Sequence, residues 1–269
     1  MTHKLIRIGV GAAGIASILA AIALFFRWPI VADIWPWTGP YATLSPLSLY
    51  FLSSIAAAVG APVLWIAISD KLYAAAPGAS NLLIAFIGIA VFMFQGFAAE
   101  PSNSRLLQSA LLVSASAIAN VVIYLAGRKM PDPDRRPLPA LVRYSYFVFI
   151  TALIIVGGQL ILKIPGVLPW DISVEASVVY GWIFLGASVY FTYAVVRSTW
   201  GNAAGQLLGF LAYDVVLILP FIRHFSAARP EQIASLIVYT IVVVYSGLLA
   251  IYYLFINRET RIIAGAAVK

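Results

Sequence analysis

The chain has 269 residues, of which 62% are hydrophobic and only 10% are charged, and its formal net charge is +7. This composition excludes an ordinary water-soluble domain, in which polar and apolar residues are more evenly balanced. The sequence contains no cysteine, which excludes disulfides, thiolate metal sites and cysteine nucleophiles. We therefore expect an integral membrane protein.

Eight apolar runs follow one another along the chain, and each is long enough to cross the hydrocarbon core of a bilayer, which takes about 20 helical residues. The spans are expected to be helices, because lipid offers no hydrogen-bond partner to an open peptide group. The runs are also too long for the strands of a membrane barrel. The predicted spans cover residues 5–26, 45–68, 81–99, 106–126, 143–162, 176–196, 204–222 and 233–256.

The first apolar run resembles a secretory signal, because it follows His3, Lys4 and Arg7. It is longer than the apolar core of a signal, which has about 7–15 residues, so a retained first span is expected. Only residues 100–105 separate the third span from the fourth. They contain Glu, Pro, Asn and Arg, which favours a tight turn over one bent helix.

A segment rich in tryptophan and proline, residues 27–44, separates the first two spans. Its prolines are expected to exclude helix. Tryptophan favours the headgroup layer, where the ring is half buried and its N–H reaches water. We therefore expect Trp28, Trp35 and Trp37, together with Trp170 before the sixth span, to form an interfacial aromatic belt. The alternative is a cap over a cavity or a docking surface.

The second half of the sequence is similar to the first. Three landmarks recur in the same order after about 125–135 residues: the Trp-Pro motifs 34–37 and 168–170, the apolar segments 81–94 and 206–219, and the polar residue pairs 127–128 and 257–258. This pattern predicts a duplicated four-helix unit. The predicted repeats are residues 1–130 and 140–269, joined by a charged, proline-rich linker of residues 131–139. Because each unit has an even number of spans, the copies are expected to share one orientation in the membrane.

The distribution of lysine and arginine predicts the orientation of the chain. Twelve of these residues lie on the side of the N-terminus and five on the other. Cytoplasmic loops are enriched in lysine and arginine, so we predict that both termini are cytoplasmic and that the membrane is a bacterial plasma membrane. Topology thus accounts for the positive charge, and no nucleic-acid partner is expected.

Asp214 is the one acidic or basic side chain near the middle of a predicted span. A charge at that depth costs several kcal/mol, so such an acid normally faces a bundle interior or a cavity. No lysine, arginine or histidine is expected at a similar depth. The candidate polar network around it comprises Tyr213, Asn120 on the fourth span, Tyr190 on the sixth, and Tyr245 with Ser246 on the eighth.

Two roles for Asp214 remain open. It is either a protonatable or cation-coordinating group of a transporter, or a neutral acid that holds two helices together. The predicted repeat places Asp214 opposite the apolar residue Ile89, and this asymmetry favours a functional role.

The inventory of ligating residues excludes several cofactors. The two histidines, His3 and His224, lie at span ends and cannot ligate a haem inside the bundle. No lysine lies at the depth that a retinal Schiff base requires. Metalloprotease spacing and glycine-rich phosphate loops are also missing. No cofactor or metal is predicted, and enzymatic activity is not expected.

The sequence leads to two hypotheses about function. The first is translocation of a small solute or ion, with Asp214 as the protonatable group. The second is a non-catalytic accessory or scaffold subunit that binds other membrane subunits. A lipid-modifying enzyme ranks third, because no acid, base or nucleophile constellation supports it.

Overall fold

A computed structural model of the chain describes residues 3–32, 35–37 and 44–262. In this part of the chain, eight helices are long and apolar enough to cross a membrane, which confirms the predicted number of spanning helices. They indicate an integral membrane protein whose bundle is all α-helical, apart from an isolated antiparallel bridge between Pro137 and Thr199.

The helices begin and end close to the predicted positions. In chain order they are α1 (His3–Phe25), the one-turn α2 (Pro29–Ala32), α3 (Pro46–Ser69), α4 (Ala75–Ala99), α5 (Ser104–Gly127), α6 (Ala140–Ile161), α7 (Val174–Arg197), α8 (Ala204–His224) and α9 (Pro230–Ile251). A 3-10 turn leads into α4 (Leu72–Ala74) and another into α8 (Trp200–Asn202). A π turn, Tyr252–Ile256, continues α9.

Two starting points differ from the sequence prediction, and proline explains both. The segment after α1 was expected to contain no helix, yet Pro29 opens the short helix α2. The third span was expected to begin at residue 81, yet α4 begins at Ala75 and carries Pro77 in its first turn. Proline is tolerated there, because the first N–H groups of a helix have no intrahelical acceptor.

Four helices, α3, α4, α7 and α8, form the centre of the bundle, in which α3 packs along α8 and α4 packs along α7. Each of the other spanning helices packs mainly on one of these: α1 on α3, α5 on α4, α6 on α7, and α9 on α8. The peripheral helices are accordingly less buried than α7. Their outward faces carry many of the exposed large apolar side chains, as expected for contact with lipid.

Aromatic packing joins the two central pairs. Phe51 on α3 is fully buried, and its ring lies 4.7 Å from that of Tyr180 and 5.6 Å from that of Phe184, both on α7. Trp170, from the segment before α7, lies 5.8 Å from Phe51. Hydrophobic side chains therefore fill this part of the bundle.

Polar contacts place the start of α1, the α3–α4 turn, the linker and the end of α9 at one end of the bundle. The guanidinium group of Arg7 donates to the carbonyl oxygens of Ala67 and Ile68. In the linker, Arg136 Nη1 donates to Glu259 O beyond α9. We call this end the linker end. Its cytoplasmic location remains a prediction.

Candidate functional site

The site is built around Asp214, which lies halfway along α8 and is 5% exposed. Most of the surrounding helix consists of apolar residues, so its polar carboxyl group is enclosed within the bundle. The side chain faces α9, the peripheral helix that packs on α8. Asp214 therefore contacts another helix in this structure, which was one of the arrangements left open by the sequence.

Ser246 on α9 is the hydrogen-bonding partner of Asp214. Its Oγ lies 3.1 Å from Oδ1 and 2.9 Å from Oδ2 of the carboxyl group. The same Oγ lies 2.7 Å from Val242 O and 3.2 Å from Val243 O, one turn earlier on α9. Four acceptor atoms thus surround a hydroxyl that carries one hydrogen.

The number of hydrogens limits how this contact is made. If Ser246 donates to Val242 O, a protonated Asp214 completes the arrangement by donating to Ser246 Oγ. If Ser246 donates to Asp214 instead, an ionised carboxylate has one hydroxyl donor in a bundle interior. The first arrangement satisfies more groups and places no charge at the middle of a span.

Gly247 lets the two helices approach at this point. A Cβ atom at Gly247 would stand 3.3 Å from Asp214 Oδ2, closer than most carbon–oxygen contacts of a Cβ. The hydroxyl of Ser246 and the backbone of Gly247, which carries no side chain, together form the surface of α9 that faces Asp214.

A second polar contact joins α8 to α9 next to the first. The hydroxyl groups of Tyr213 and Tyr239 lie 2.8 Å apart. Tyr239 precedes Ser246 by seven residues, or two helical turns, so the two lie on the same face of α9. The ring of Tyr213 also meets that of Phe51 edge to face. Tyr213, one of the residues of the predicted polar network, therefore contacts α9 close to the Asp214–Ser246 contact.

The other predicted network residues bond elsewhere. Asn120 Nδ2 donates to Ser116 O of its own helix α5, and the Tyr190 carbonyl accepts from Gln206 Nε2. The hydroxyl of Tyr245 lies 2.6 Å from Ser145 Oγ on α6. Within the described ranges, none of Asn120, Tyr190 and Tyr245 is hydrogen-bonded to Asp214.

Tyr239 and Ser145 are the residues that sequence reasoning missed. The seven-residue spacing between Tyr239 and Ser246 was the signal available for Tyr239, because it predicts a shared helix face. Ser145 had no comparable signal, since its contact with Tyr245 depends on how α6 sits beside α9.

The tryptophans predicted to form a belt occupy different environments. Trp28 is about half exposed, and Trp37 is partly buried against the ring of Phe92. Trp35 and Trp170 are buried in the core, which differs from the half-exposed position expected at a headgroup layer. Trp170 Nε1 donates to Ser48 Oγ at 3.0 Å, so a protein hydroxyl takes the place of water.

An apolar groove of about 260 Å³ lies alongside α9, lined by Phe225, Ile237, Thr240, Ile241 and Val244. Asp214 is not part of its lining. In the part of the chain that the structure describes, no three histidine, aspartate or glutamate side chains are close enough to hold a metal ion.

Comparison with known proteins returns no match. No family model fits the chain, and no curated protein or solved structure is significantly similar to it.

Proposed function

We propose that this protein translocates a small solute or ion across a membrane and that Asp214 binds and releases a proton during the cycle. The observation that supports the proposal is the enclosure of this carboxyl group between α8 and α9, with one hydroxyl as its partner. An acid that serves only as a helix contact is replaceable by an amide or a hydroxyl. A protonatable group is not.

The geometry links the charge of Asp214 to the packing of α9. Ionisation in the closed arrangement leaves a carboxylate with at most one hydrogen bond in an apolar interior, which costs several kcal/mol. Separation of α9 from α8 relieves that cost, because it admits water or a cation. Protonation therefore favours the closed arrangement, and ionisation favours an open one. A transporter needs such a coupling between a bound proton and a conformation.

We also propose that the bundle consists of two four-helix units, as the sequence suggested. Exchange of α1 with α6, α3 with α7, α4 with α8 and α5 with α9 converts every major packing pair into another one. The α1–α3 pair becomes α6–α7, the α4–α5 pair becomes α8–α9, and the α3–α8 pair becomes α7–α4. This symmetry is expected of a duplicated unit whose copies share one orientation.

The helix ends support the same duplication. In the described part of the chain, four residues other than glycine have positive φ angles: Arg27, Asp70, Lys163 and Ser198. Arg27 and Lys163 follow α1 and α6, which correspond in the proposed repeat. Asp70 and Ser198 end α3 and α7, which also correspond. A left-handed conformation is costly for such residues, so its occurrence in matched pairs favours a common ancestral unit.

The close approaches at the helix crossings support one register for the proposed repeat. A Cβ atom on Gly186 would stand 2.6 Å from Asn81 O, and one on Gly209 would stand 3.0 Å from Ala58 O. Ala58 corresponds to Gly186 and Asn81 to Gly209 if the offset is 128 residues, which is also the spacing of the capping residues Asp70 and Ser198.

This offset differs from the 125 residues that align the two apolar segments by sequence. It places Asp214 opposite Phe86 instead of Ile89. The acid still has an apolar counterpart in the first unit, so the asymmetry that favours a functional role for Asp214 does not depend on the choice of register.

Reconstitution in liposomes tests the transport proposal. Uptake of a panel of candidate solutes is measured under an imposed proton gradient for wild type, Asp214→Asn and Asp171→Asn. Asp171 is an exposed acid at the end opposite the linker, so its replacement controls for the loss of a carboxyl group. We expect Asp214→Asn to abolish gradient-driven uptake and Asp171→Asn to retain it. Equal uptake by the wild type and both variants removes Asp214 from the mechanism.

A second candidate is an accessory or scaffold subunit of a larger membrane complex. It is supported by the burial of Asp214 against a helix and by the wide apolar faces of the peripheral helices. Purification of the natively expressed protein in a mild detergent decides between the two. Stoichiometric co-purification of another polypeptide supports the subunit role, and a homogeneous particle of this chain alone argues against it.

A further inference from the structure

The two aspartates of the linker are held by contacts within the protein. Asp132 accepts hydrogen bonds at Oδ2 from Thr199 Oγ1 (2.9 Å) and Asn202 Nδ2 (2.8 Å), in the turn between α7 and α8. Its Oδ1 accepts from the backbone N–H of Asp134 at 2.9 Å. Both oxygens of this carboxyl group are therefore occupied by the protein itself.

The second linker acid is held by an ion pair within the linker. The two oxygens of Asp134 accept from Arg136 Nε at 2.7 Å and from Arg136 Nη2 at 2.5 Å. Burial opposes ionisation of Asp134, but the hydrogen bonds and charge of Arg136 outweigh it, so the pKa of Asp134 lies below its ordinary value. Asp134 and Arg136 thus form an internal, bidentate ion pair.

The backbone of the linker is fixed to the second half of the bundle. Leu138 N–H donates to Ser198 O, and Trp200 N–H donates to Arg136 O. Arg136 also donates to Glu259 O at 2.6 Å, which joins the linker to the turn beyond α9. The linker is therefore an ordered strap with its acids turned towards the protein.

Three guanidinium groups of the strap and of the turn beyond α9 are exposed without an ion pair in the part of the chain that the structure describes. Arg135 precedes Arg136 in the strap, and Arg258 and Arg261 lie on either side of Glu259 in the turn that Arg136 contacts. No ion pair to any of the three occurs among the residues that the structure describes. The linker has equal numbers of aspartate and arginine in residues 132–136. Contacts within the protein occupy both aspartates, so the three exposed arginines outnumber Glu259, the exposed acid beside them.

We propose that Arg135, Arg258 and Arg261 form a basic surface that binds the phosphate headgroup of an anionic phospholipid. The surface lies just beyond the end of α9 and just before the start of α6, at the level expected for headgroups. Arginine matches a phosphate group with paired N–H donors. Clusters of basic residues next to spanning helices are attracted to anionic leaflets by about 1 kcal/mol per residue. The binding does not depend on the proposed transport activity.

Native mass spectrometry of the detergent-purified, delipidated protein tests the proposal. The apparent affinity for phosphatidylglycerol and phosphatidylcholine is measured for wild type and for the triple variant Arg135→Gln/Arg258→Gln/Arg261→Gln. We expect wild type to prefer phosphatidylglycerol. The loss is expected to be roughly fivefold per arginine and about a hundredfold for the triple variant, with little change for phosphatidylcholine.

Two further variants separate the site from net charge and from misfolding. Arg27→Gln/Lys163→Gln/Arg223→Gln removes three exposed cations from the opposite end and is expected to keep the preference. Replacement of Arg135, Arg258 and Arg261 by lysine keeps the positive charge of the proposed surface and is expected to retain most of the binding. Competition by inorganic phosphate at matched ionic strength shows whether the arginines bind free phosphate or a lipid headgroup.

The proposal is overturned if the triple glutamine variant binds phosphatidylglycerol as wild type does, or if the control variant loses as much affinity. It is also overturned if inorganic phosphate alone displaces the lipid, which would indicate a free-phosphate site. If wild type shows no preference among lipids, a protein partner becomes the better explanation of the basic surface.

Discussion

The hydroxyl oxygen of Ser246 lies 2.9 Å from Oδ2 of Asp214 and joins the middle of α9 to the middle of α8. That hydroxyl is also 2.7 Å from Val242 O, so its one hydrogen cannot satisfy both acceptors. A protonated Asp214 resolves the conflict by donating to the serine. The relationship gives Asp214 two states with different packing requirements, which is the basis of the proposed proton coupling.

The first prediction concerns the protonation state of Asp214 in the closed bundle. Asparagine has a donor and an acceptor in nearly the same positions as a protonated aspartate. We therefore expect Asp214→Asn to change the free energy of unfolding by less than about 0.5 kcal/mol. Asp214→Ala loses the contact with Ser246 and leaves a cavity, so a loss of about 1–3 kcal/mol is expected. The midpoints of thermal unfolding in detergent provide the comparison. An asparagine variant as unstable as the alanine variant would indicate an ionised Asp214.

The second prediction concerns the contact between α4 and α7. A Cβ atom on Gly88 would stand 1.8 Å from the ring of Trp182, so Gly88→Ala is expected to cost about 1–3 kcal/mol through overpacking. A Cβ atom on Gly158 of α6 would meet no neighbouring heavy atom within 4 Å. Gly158→Ala is therefore expected to be neutral or slightly stabilising.

Compensation at the neighbouring residue tests the same contact. Replacement of Trp182 by leucine in the Gly88→Ala background makes room for the methyl group. We expect this double variant to recover part of the loss, as measured by thermal unfolding. Equal midpoints for Gly88→Ala and Gly158→Ala would show that α4 and α7 do not approach as described.

The third prediction concerns acid sensitivity at the linker. The pKa of Asp134 is lower in the folded protein than its ordinary value, so the unfolded chain binds more protons than the folded one at low pH. The stabilisation from Asp134 is present above the unfolded pKa, about 3.9, and is lost as pH falls through the folded pKa. We expect Asp134→Asn to flatten the fall in unfolding midpoint in that window. Identical pH profiles for wild type and Asp134→Asn would contradict the role of the Asp134–Arg136 pair.

The fourth prediction concerns orientation. The sequence contains no cysteine, so single cysteines report their location without background labelling. Lys129 lies at the linker end, and Ser226 lies beyond α8 at the opposite end. Each is replaced by cysteine in a separate variant. An impermeant maleimide added to intact cells is expected to label Ser226→Cys but not Lys129→Cys until the membrane is opened. The reverse pattern would invert the proposed topology.

The spanning helices were predictable from sequence, because membrane crossing demands long apolar runs and lipid permits few other structures. Their ends were less predictable. Pro29 and Pro77 suggest loops by composition, yet each lies at a helix start where proline is compatible with the backbone.

The polar partner of Asp214 was predictable only in part. Sequence position gives the approximate depth of a residue, and depth grouped Asp214 with Ser246, Tyr245 and Asn120. It does not give the rotation of each helix or its neighbours. Because α5 packs on α4 while α9 packs on α8, Asn120 is bonded within its own helix and Ser246 contacts the acid.

The burial of two tryptophans also depended on tertiary structure. Trp170 is typical of a headgroup belt by position in the sequence, but the chain before α7 turns into the bundle and brings its ring against Phe51. Likewise, the side-chain partners of Asp132 come from the α7–α8 turn, which is distant from it in sequence. Asp134 pairs with Arg136 in the linker itself.

Infrared spectroscopy of the carboxyl group tests the central claim most directly. Difference spectra between wild type and Asp214→Asn in reconstituted membranes isolate the C=O stretch of a protonated Asp214, and transfer to D₂O reports whether its proton exchanges with water. We predict a protonated carboxyl band in wild type that shifts in D₂O while the helices remain folded, because the site opens to water during its cycle. A band that never shifts in the folded protein would show that Asp214 is a permanently closed contact between α8 and α9, and it would contradict the proposed role in proton coupling.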